Sequence, residues 1–337
     1  MKHWQQYNEQ ERLQLLDITA AHKGLPRIAI EKDWWVTMTL KALSTTSYAH
    51  LMSFKGGTSL SKGWNLIKRF SEDIDIALRR EDRFAISSTS NNQMAKVRRV
   101  ARHYIVRELP DELEQALSSL GITGFTVTPE LSRNKGGEMV ELSPTTHPST
   151  LFVNYQSVVP ELSDYIKPQV KIEISCLSMD EPVEQKLLNT FICEAVPTAD
   201  EVSVEFKTVV PTRTFLEKIF LLHEEFQKEN PRCYRMSRHL YDIEKLMKTA
   251  FGEEALGNRA LYEAIVKHRA IFNNIKGVDY SLHAPQTISI LPPERVHKAW
   301  QDDYEAMCND FIFEISPLSF DDLLQQIEFL QNKIRIL

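Results

Sequence analysis

The chain has 337 residues and a formal net charge of −6, with 42% hydrophobic and 26% charged residues, a composition typical of a globular protein. No apolar run approaches the roughly 20 residues that a membrane-spanning helix needs, and the N-terminus lacks the apolar core of a signal peptide. The four cysteines show no CxxC spacing, which argues against a zinc site or a disulfide framework. We therefore expect a cytoplasmic protein that contacts no membrane. Its negative charge argues against indiscriminate coating of nucleic acid but allows a local basic groove.

The N-terminal part of the sequence predicts two helices followed by alternating short strands and helices. The turn Lys23-Gly24-Leu25-Pro26 separates two helices between about residues 10 and 47. A strand from His50 to Phe54 leads into a glycine pair, Leu60 to Ile67 is predicted to be helical, and Ile74 to Leu78 forms the next strand.

The remaining chain changes from mixed to almost wholly helical character. Residues 93–119 predict two helices divided near Pro110, and residues 132–149, rich in Gly, Ser, Thr and Pro, predict a mobile loop. Strands are expected at 123–128, 151–156 and 170–175, and helices at 214–228, 235–249, 256–274, 294–312 and 318–335. The prediction is an α+β fold with a sheet-containing domain over residues 1–210 and a mostly helical domain over 211–337.

The strongest chemical signal combines the turn Gly56-Gly57-Thr58-Ser59 with Asp73 and Asp75. Because side chains alternate along a strand, the two aspartates should project from the same face. Two adjacent carboxylates favour a cation between them, and Mg²⁺ commonly binds one or two carboxylates plus substrate phosphates. Glycines allow backbone N–H groups to approach a triphosphate. The alternative for the aspartates alone is a solvated strand edge.

A third carboxylate, Glu173, lies within the predicted strand Val170-Lys171-Ile172-Glu173-Ile174. It could act as a general base for the attacking hydroxyl or bind a second metal ion. The alternative is an exposed strand residue that pairs with Lys171, which shares its face.

Two further candidates lie on predicted helices of the second half. Thr214 and Glu217 predict a capping box at the start of a helix, and Lys218 near its apolar stripe could reach a phosphate or simply extend to the surface. On the next helix Asp242 lies at the edge of the buried stripe, either facing a cleft or pairing with Arg238. His239 is predicted to be a core histidine.

The chain contains four motifs in the order Gly56-Gly57-Thr58-Ser59-Leu60-Ser61-Lys62, Arg69-Phe70-Ser71-Glu72-Asp73-Ile74-Asp75-Ile76, Glu217-Lys218 and Arg238-His239-Leu240-Tyr241-Asp242. They resemble the motifs of the AbiEii/AbiGii nucleotidyltransferase toxins, which belong to the DNA polymerase beta-like nucleotidyltransferase superfamily. The resemblance extends from about residue 28 to the C-terminus, and Glu31-Lys32-Asp33-Trp34-Trp35-Val36 resembles the family's N-terminal helix.

The resemblance implies a minimal nucleotidyltransferase sheet flanked by helices, with Asp73 and Asp75 as catalytic ligands of Mg²⁺. It implies Lys218 as a phosphate contact and Asp242 as an active-site acid, and Glu173 is our added candidate for catalysis. Nucleotide binding is assigned to the turn and the residues that follow it in the motifs: Gly56, Gly57, Thr58, Ser59, Lys62 and Arg69.

The resemblance also implies a toxin that is controlled by a cognate antitoxin protein and is linked to phage defence. Its substrates would be a nucleoside triphosphate and an RNA hydroxyl, in particular the 3′ acceptor end of tRNA. The basic segment Lys96–Arg107 and the group Lys228, Arg232, Arg235 and Arg238 could line a groove for RNA phosphates, or be solvated helix faces. A protein or small-molecule hydroxyl is the alternative acceptor, and a binding module without catalysis is the other alternative, against which the intact motifs argue.

Overall fold

The computed structural model of the chain describes residues 2–160, 166–179 and 182–337. It divides into two compact units, the first formed by Met1–Gly63 and Ser71–Thr208 and the second by Trp64–Phe70 and Val209–Leu337. The division after Thr208 lies close to the boundary at residue 210 drawn from the sequence. Trp64–Phe70, which the sequence placed in the first domain, groups with the second unit. Within the described ranges no helix has both the length and the apolar character needed to cross a membrane.

The first unit is built around a seven-stranded mixed sheet with strand order β3-β6-β7-β2-β1-β9-β8. Strand β2 runs antiparallel to β1 and parallel to β7, which makes it a central strand. The strands are β1 (Met52–Lys55), β2 (Ile74–Leu78), β3 (Phe125–Pro129), β4 (Leu131–Arg133), β5 (Met139–Glu141), β6 (Ser149–Tyr155), β7 (Gln169–Ser175), β8 (Val183–Asn189) and β9 (Ser203–Val209). The helices are α1 (Glu9–Lys23), α2 (Arg27–Leu43), α3 (Gly56–Thr58), α4 (Asn91–His103), α5 (Leu109–Ser119) and α6 (Phe191–Ala195).

One face of this sheet forms the core, and helix α2 covers it. Ile74 and Ile76 of β2 and Ile172 of β7 are completely buried, because alternate residues of paired strands point to one side. Trp35 of α2 stacks on Tyr155 of β6 on this same side, with ring centroids 4.7 Å apart. The opposite face carries the polar residues of these strands.

Several predicted elements of the first unit are corrected by the structure. The helix expected at Leu60–Ile67 begins earlier, at Gly56, and ends with a π-helical turn at Ser59–Gly63. The loop expected at 132–149 contains a hairpin of β4 and β5 around Asn134, whose side chain accepts from the backbone N–H groups of Gly136 and Glu138. Strands β8 and β9 and helix α6 were not predicted.

The second unit is helical: α7 (Pro211–Phe226), α8 (Arg238–Met247), α9 (Ala250–Gly257), α10 (Arg259–His268), α11 (His297–Asp310) and α12 (Phe320–Arg335). The single helix expected at 256–274 is replaced by α9, α10 and a π-helical turn that ends at Asn273. The predicted capping box is wrong. Helix α7 begins at Pro211, whose missing N–H costs nothing in a first turn, and Glu217 pairs with Arg213 at 2.7 Å.

A short arm, Trp64–Phe70, joins this helical unit through backbone hydrogen bonds. Phe70 N donates to Phe311 O at 2.7 Å, and Phe313 N donates to Lys68 O at 3.0 Å. Arg69 therefore forms an antiparallel bridge with Ile312. These bonds hold the arm in a fixed register and so fix the position of the Arg69 side chain within the unit.

Candidate active site

The glycine turn lies directly against Asp75. Gly56 has a φ of +80°, and a Cβ placed on it would lie 2.0 Å from Asp75 Oδ2. Both the backbone conformation and the space exclude an ordinary side chain. The turn and the second aspartate of the motif, 19 residues apart in sequence, are thus neighbours in the first unit.

The hydroxyl groups of the turn stabilise the turn itself. Thr58 Oγ1 contacts Asp73 O at 2.5 Å and Ser71 Oγ at 2.9 Å, and Ser59 Oγ donates to Gly56 O at 2.9 Å. Both side chains are buried. Thr58 therefore positions the residue that carries the first aspartate, and any contact of this turn with a phosphate would come from its backbone N–H groups.

Asp73 and Asp75 lie on the polar side of β2 and its preceding residue. Burial alternates through this segment, with Glu72, Ile74 and Ile76 buried and the two aspartates partly exposed. Asp75 is in register with Lys55 of β1 and with Glu173 of β7. We call this side of the sheet the polar face, defined by Lys55, Asp73, Asp75, Lys171, Glu173 and Ser175.

Glu173 occupies the position expected for a carboxylate on the neighbouring strand and also pairs with Lys171. The Lys171 Nζ lies 2.8 Å from Glu173 Oε1, and each side chain is about one-third exposed, at 33% and 31%. Burial lowers the pKa of Lys171, but Glu173, with a smaller contribution from Asp73, raises it above its usual value. The two interpretations of Glu173 from the sequence are therefore compatible in this geometry.

The chemistry of Asp73 and Asp75 fits Mg²⁺, because both are partly exposed carboxylates and so supply oxygen ligands. The adjacent Gly56 has no side chain that would block access to Asp75. Across the described part of the chain, no three His, Cys, Asp or Glu side chains are grouped closely enough to hold a metal ion. A metal ion here would thus need substrate oxygens and water to complete its coordination.

In the second unit, Asp242 binds two cations at once. Arg69 Nε and Nη2 donate to Asp242 Oδ1 and Oδ2 at 2.7 and 2.8 Å, and Lys218 Nζ lies 2.8 Å from Oδ2. Asp242 is fully buried. Burial acts to raise its pKa, but the charges of Arg69 and Lys218 outweigh burial and hold that pKa well below its usual value.

Lys218 is neither a surface lysine nor a fully paired one. Its side chain is 9% exposed, and burial lowers its pKa although Asp242 opposes the shift. Among the described residues its ammonium contacts Asp242 and, at 3.5 Å, Nδ1 of His239. Burial, followed by the charges of Lys218 and Arg238, holds the pKa of His239 far below its usual value, so the neutral ring can accept this hydrogen bond.

Lys62, assigned to nucleotide binding from the sequence, lies in a buried ion pair of the first unit. Its ammonium lies 2.7 Å from Asp33 Oδ1 of α2, donates to Asn189 O at 2.5 Å, and is 3% exposed. The structure thus commits Lys62 to a buried ion pair, and Arg69 is likewise committed to Asp242. Local sequence spacing could not predict that Lys62 pairs with Asp33 or that Arg69 pairs with Asp242, because the members of each pair are distant in sequence.

The two basic groups predicted to line a groove are partly neutralised. Arg107 pairs with Glu141, and Lys228 and Arg232 both pair with Glu225 at 2.7 and 2.8 Å. Arg102 is buried. These contacts support the solvated or structural alternative for part of each group.

Comparison with known proteins identifies the family and a structural relative of the chain. A sequence profile of the family described as "Nucleotidyl transferase AbiEii toxin, Type IV TA system" matches residues 39–326. The nucleotidyltransferase toxin MenT4 from Mycobacterium tuberculosis H37Rv shares the fold, with a TM-score of 0.53 and 15% sequence identity over 96% of this chain and 90% of MenT4. No curated protein matches the sequence. With the profile covering most of its length, the chain belongs to the AbiEii family of nucleotidyltransferase toxins.

Proposed function

We propose that this toxin transfers nucleotides from a nucleoside triphosphate to the 3′-terminal hydroxyl of an RNA, the acceptor end of tRNA, and so blocks translation until a cognate antitoxin neutralises it. We also propose that the toxin acts in phage defence when the antitoxin no longer neutralises it. The observation that carries the proposal is the arrangement of Asp73, Asp75 and Glu173 on one face of neighbouring strands, beside a glycine turn that leaves space only for a backbone.

Asp73 and Asp75 would hold Mg²⁺, which when bound supplies positive charge to offset that of the triphosphate and the leaving pyrophosphate. The chain's own groups then provide orientation and proton transfer. Glu173, held by Lys171, takes the proton of the acceptor hydroxyl as that oxygen bonds to the α-phosphorus. The bond from this phosphorus to the bridging oxygen of pyrophosphate breaks, and pyrophosphate leaves.

For Lys218 and Asp242 we propose different roles. Lys218 has three N–H donors and two partners among the described residues, so one donor remains for a phosphate of the nucleotide. Asp242 is fully buried and fully engaged, so we assign it as a positioning residue that orients Lys218 and Arg69. It would touch no substrate.

The test is incubation of the purified protein with each α-labelled nucleoside triphosphate, magnesium and deacylated tRNA, with Asp75→Asn as the matched inactive variant. We expect label on the RNA 3′ end with the wild type, at least about 100-fold less with Asp75→Asn, and none with chelator. Label on protein or on a small molecule instead of RNA would favour the alternative acceptor. Equal labelling by both proteins would remove Asp75 from the mechanism.

A further inference from the structure

Helix α2 carries three consecutive charged residues that are almost completely buried. Glu31, Lys32 and Asp33 are 0%, 3% and 5% exposed, although charged side chains are rarely buried unless they are paired. The Asp33 carboxylate pairs with Lys62 after the glycine turn. The Lys32 ammonium lies 2.7 Å from Glu72 Oε2, so a second buried ion pair joins this helix to the segment that leads into β2.

Glu72 is directly followed by Asp73, the first candidate metal ligand. The two side chains lie on opposite sides of the chain: Glu72 is buried and faces Lys32, whereas Asp73 is partly exposed on the polar face. Consecutive residues of an extended chain alternate in this way. Because the peptide unit that joins the two residues is rigid, a contact that holds Glu72 also limits the position of Asp73.

Asp73 lies just before the hydrogen-bonded part of the sheet. Strand β2 begins one residue later, at Ile74, and its register with the two neighbouring strands begins at Ile74 or later. Thr58 Oγ1 donates to the carbonyl oxygen of Asp73 at 2.5 Å. Side-chain contacts therefore hold this residue, from Thr58 on its backbone and from Lys32 through Glu72.

Lys32 also contacts the segment that leads into the neighbouring strand. Its ammonium donates to the carbonyl oxygen of Lys167 at 3.2 Å, two residues before β7 begins at Gln169. Strands β2 and β7 are parallel, and their register places Asp75 opposite Glu173. One buried ammonium thus bridges the starts of the two strands that carry the candidate active-site carboxylates.

Stability alone does not account for a buried ion pair at this place. Desolvation of the two charges offsets much of their attraction, so apolar side chains of similar volume would be about as stable there. An apolar pair could not supply the directional contacts that Lys32 makes with Glu72 and with the carbonyl oxygen of Lys167. Placement matters for a ligand of Mg²⁺, which requires near-ideal octahedral geometry.

We propose that Lys32 is a positioning residue of the active site, which holds Asp73 in place through Glu72 and holds the start of β7 through the carbonyl of Lys167. Lys32 itself touches no substrate. The effect on nucleotide transfer rests on the proposed function, because Asp73 is assigned there to Mg²⁺. The effect on the position of Asp73 does not depend on that assignment.

The experiment separates positioning from stability with four variants. Lys32→Met leaves Glu72 buried without this cation, whereas the double variant, Lys32→Met with Glu72→Leu, removes both charges. Glu72→Gln keeps the shape of the side chain and an oxygen that can accept from Lys32. The matched control is Lys41→Met on the same helix, since the Lys41 ammonium donates to the backbone carbonyl of Ser203 in β9, which β1 separates from β2.

Urea denaturation measures the stability of each variant. Hydrogen–deuterium exchange on peptides covering residues 68–78 measures, without any ligand, how firmly the start of β2 is held. Initial rates with deacylated tRNA give kcat, the KM for the nucleoside triphosphate and the Mg²⁺ concentration at half-maximal rate. Because the exchange measurement needs no activity, it tests the positioning contact independently of the proposed reaction.

We expect Lys32→Met to unfold at a lower urea concentration than the wild type and the double variant to recover much of that loss. In both, and to a smaller degree in Glu72→Gln, residues 68–78 should exchange faster. The kcat should fall, or the Mg²⁺ requirement rise, by about 10- to 100-fold in the double variant, as for loss of a contact that orients a metal ligand. Lys41→Met should leave exchange and kcat close to wild type.

Recovery of wild-type kcat together with stability in the double variant would overturn the proposal, because the ion pair would then only stabilise the fold. Unchanged exchange at residues 68–78 in the double variant and in Glu72→Gln would do the same. If neither variant with Lys32→Met folds, Glu72→Gln decides. Faster exchange in the variants, with a wild type that transfers no nucleotide, would contradict the proposed function and leave the positioning contact standing.

Discussion

At the scale of single residues, the contacts of Asp242 predict how much stability is lost when Asp242 or Lys218 is replaced. Asp242 holds Arg69 in a two-point hydrogen-bonded pair and holds Lys218 by a single contact. Removing Lys218 leaves a complete buried ion pair. Removing the carboxylate charge leaves two buried cations together, which is the costlier change.

We therefore expect Asp242→Asn to destabilise the protein by about 3–5 kcal/mol, and Lys218→Met to change stability by less than about 1.5 kcal/mol. Both should lose activity. Chemical denaturation of both variants and the wild type measures the difference. A Lys218→Met variant with near wild-type transfer would remove Lys218 from the site.

The same cluster predicts a direction for the pH dependence of stability. The folded-state pKa of Asp242 lies below its usual value of 3.8, so its stabilising contribution is present above that value and is lost as the pH falls through the folded pKa. The stability gap between wild type and Asp242→Asn should thus be full at pH 7 and should shrink once the pH falls below about 4. A gap unchanged down to pH 2 would contradict the charged role of Asp242.

At the scale of elements, the π-helical turn Ser59–Gly63 is fixed to helix α2 by Lys62 and Asp33. Asp33 accepts from Lys62 and also from the backbone N–H of Phe191 at 2.7 Å. The pair is buried, and burial raises the pKa of Asp33 although Lys62 opposes it. The pair therefore connects the element after the glycine turn to the core helix.

We expect Lys62→Met to leave the KM for the nucleoside triphosphate within about twofold of wild type, because its ammonium is engaged by Asp33. Asp33→Leu alone should destabilise by about 3–5 kcal/mol, since it leaves a buried lysine unpaired, and Lys62→Met combined with Asp33→Leu should recover much of that loss. Steady-state kinetics and denaturation curves test both points. A tenfold rise in KM for Lys62→Met, with the variant folded, would return Lys62 to nucleotide binding.

The sequence predicted those strands whose residues alternate between apolar and polar within the strand itself. Ile74–Leu78 was predicted as a strand with its observed bounds, because apolar residues alternate with Asp75 there. Strand β8, by contrast, lies at the sheet edge with mostly exposed side chains, so Leu187 and its neighbours show no buried alternation. The register that places Asp75 opposite Glu173 depends on long-range strand pairing and could not be read from either strand alone.

At the scale of the whole molecule, toxicity is the property to be expected of this family member. Induced expression in a host without an antitoxin should arrest growth with the wild type and not with Asp75→Asn, because the transfer reaction proposed above depends on this carboxylate. Growth curves, with both proteins present at equal levels in the soluble fraction, measure this. Equal growth of the two strains would falsify the toxin role in that host.

The sequence located the change from mixed to helical structure close to the observed division after Thr208, because composition and periodicity shift there. It gave no sign that Trp64–Phe70 belongs with the helical unit. The segment has seven residues, and its backbone partners Phe311 and Phe313 lie about 240 residues later. A segment of this kind can be assigned to its structural unit only from its tertiary contacts.

The arm has a consequence for how this protein can evolve or be divided. The chain passes between the two units at three places, after Gly63, after Phe70 and after Thr208. A single recombination event near residue 208 would transfer the helices but leave Arg69 behind, so Asp242 in the recombinant would meet whatever residue the new host supplied at that position. Exchange of the helical half between relatives should therefore succeed only when residues 64–70 are inherited with it.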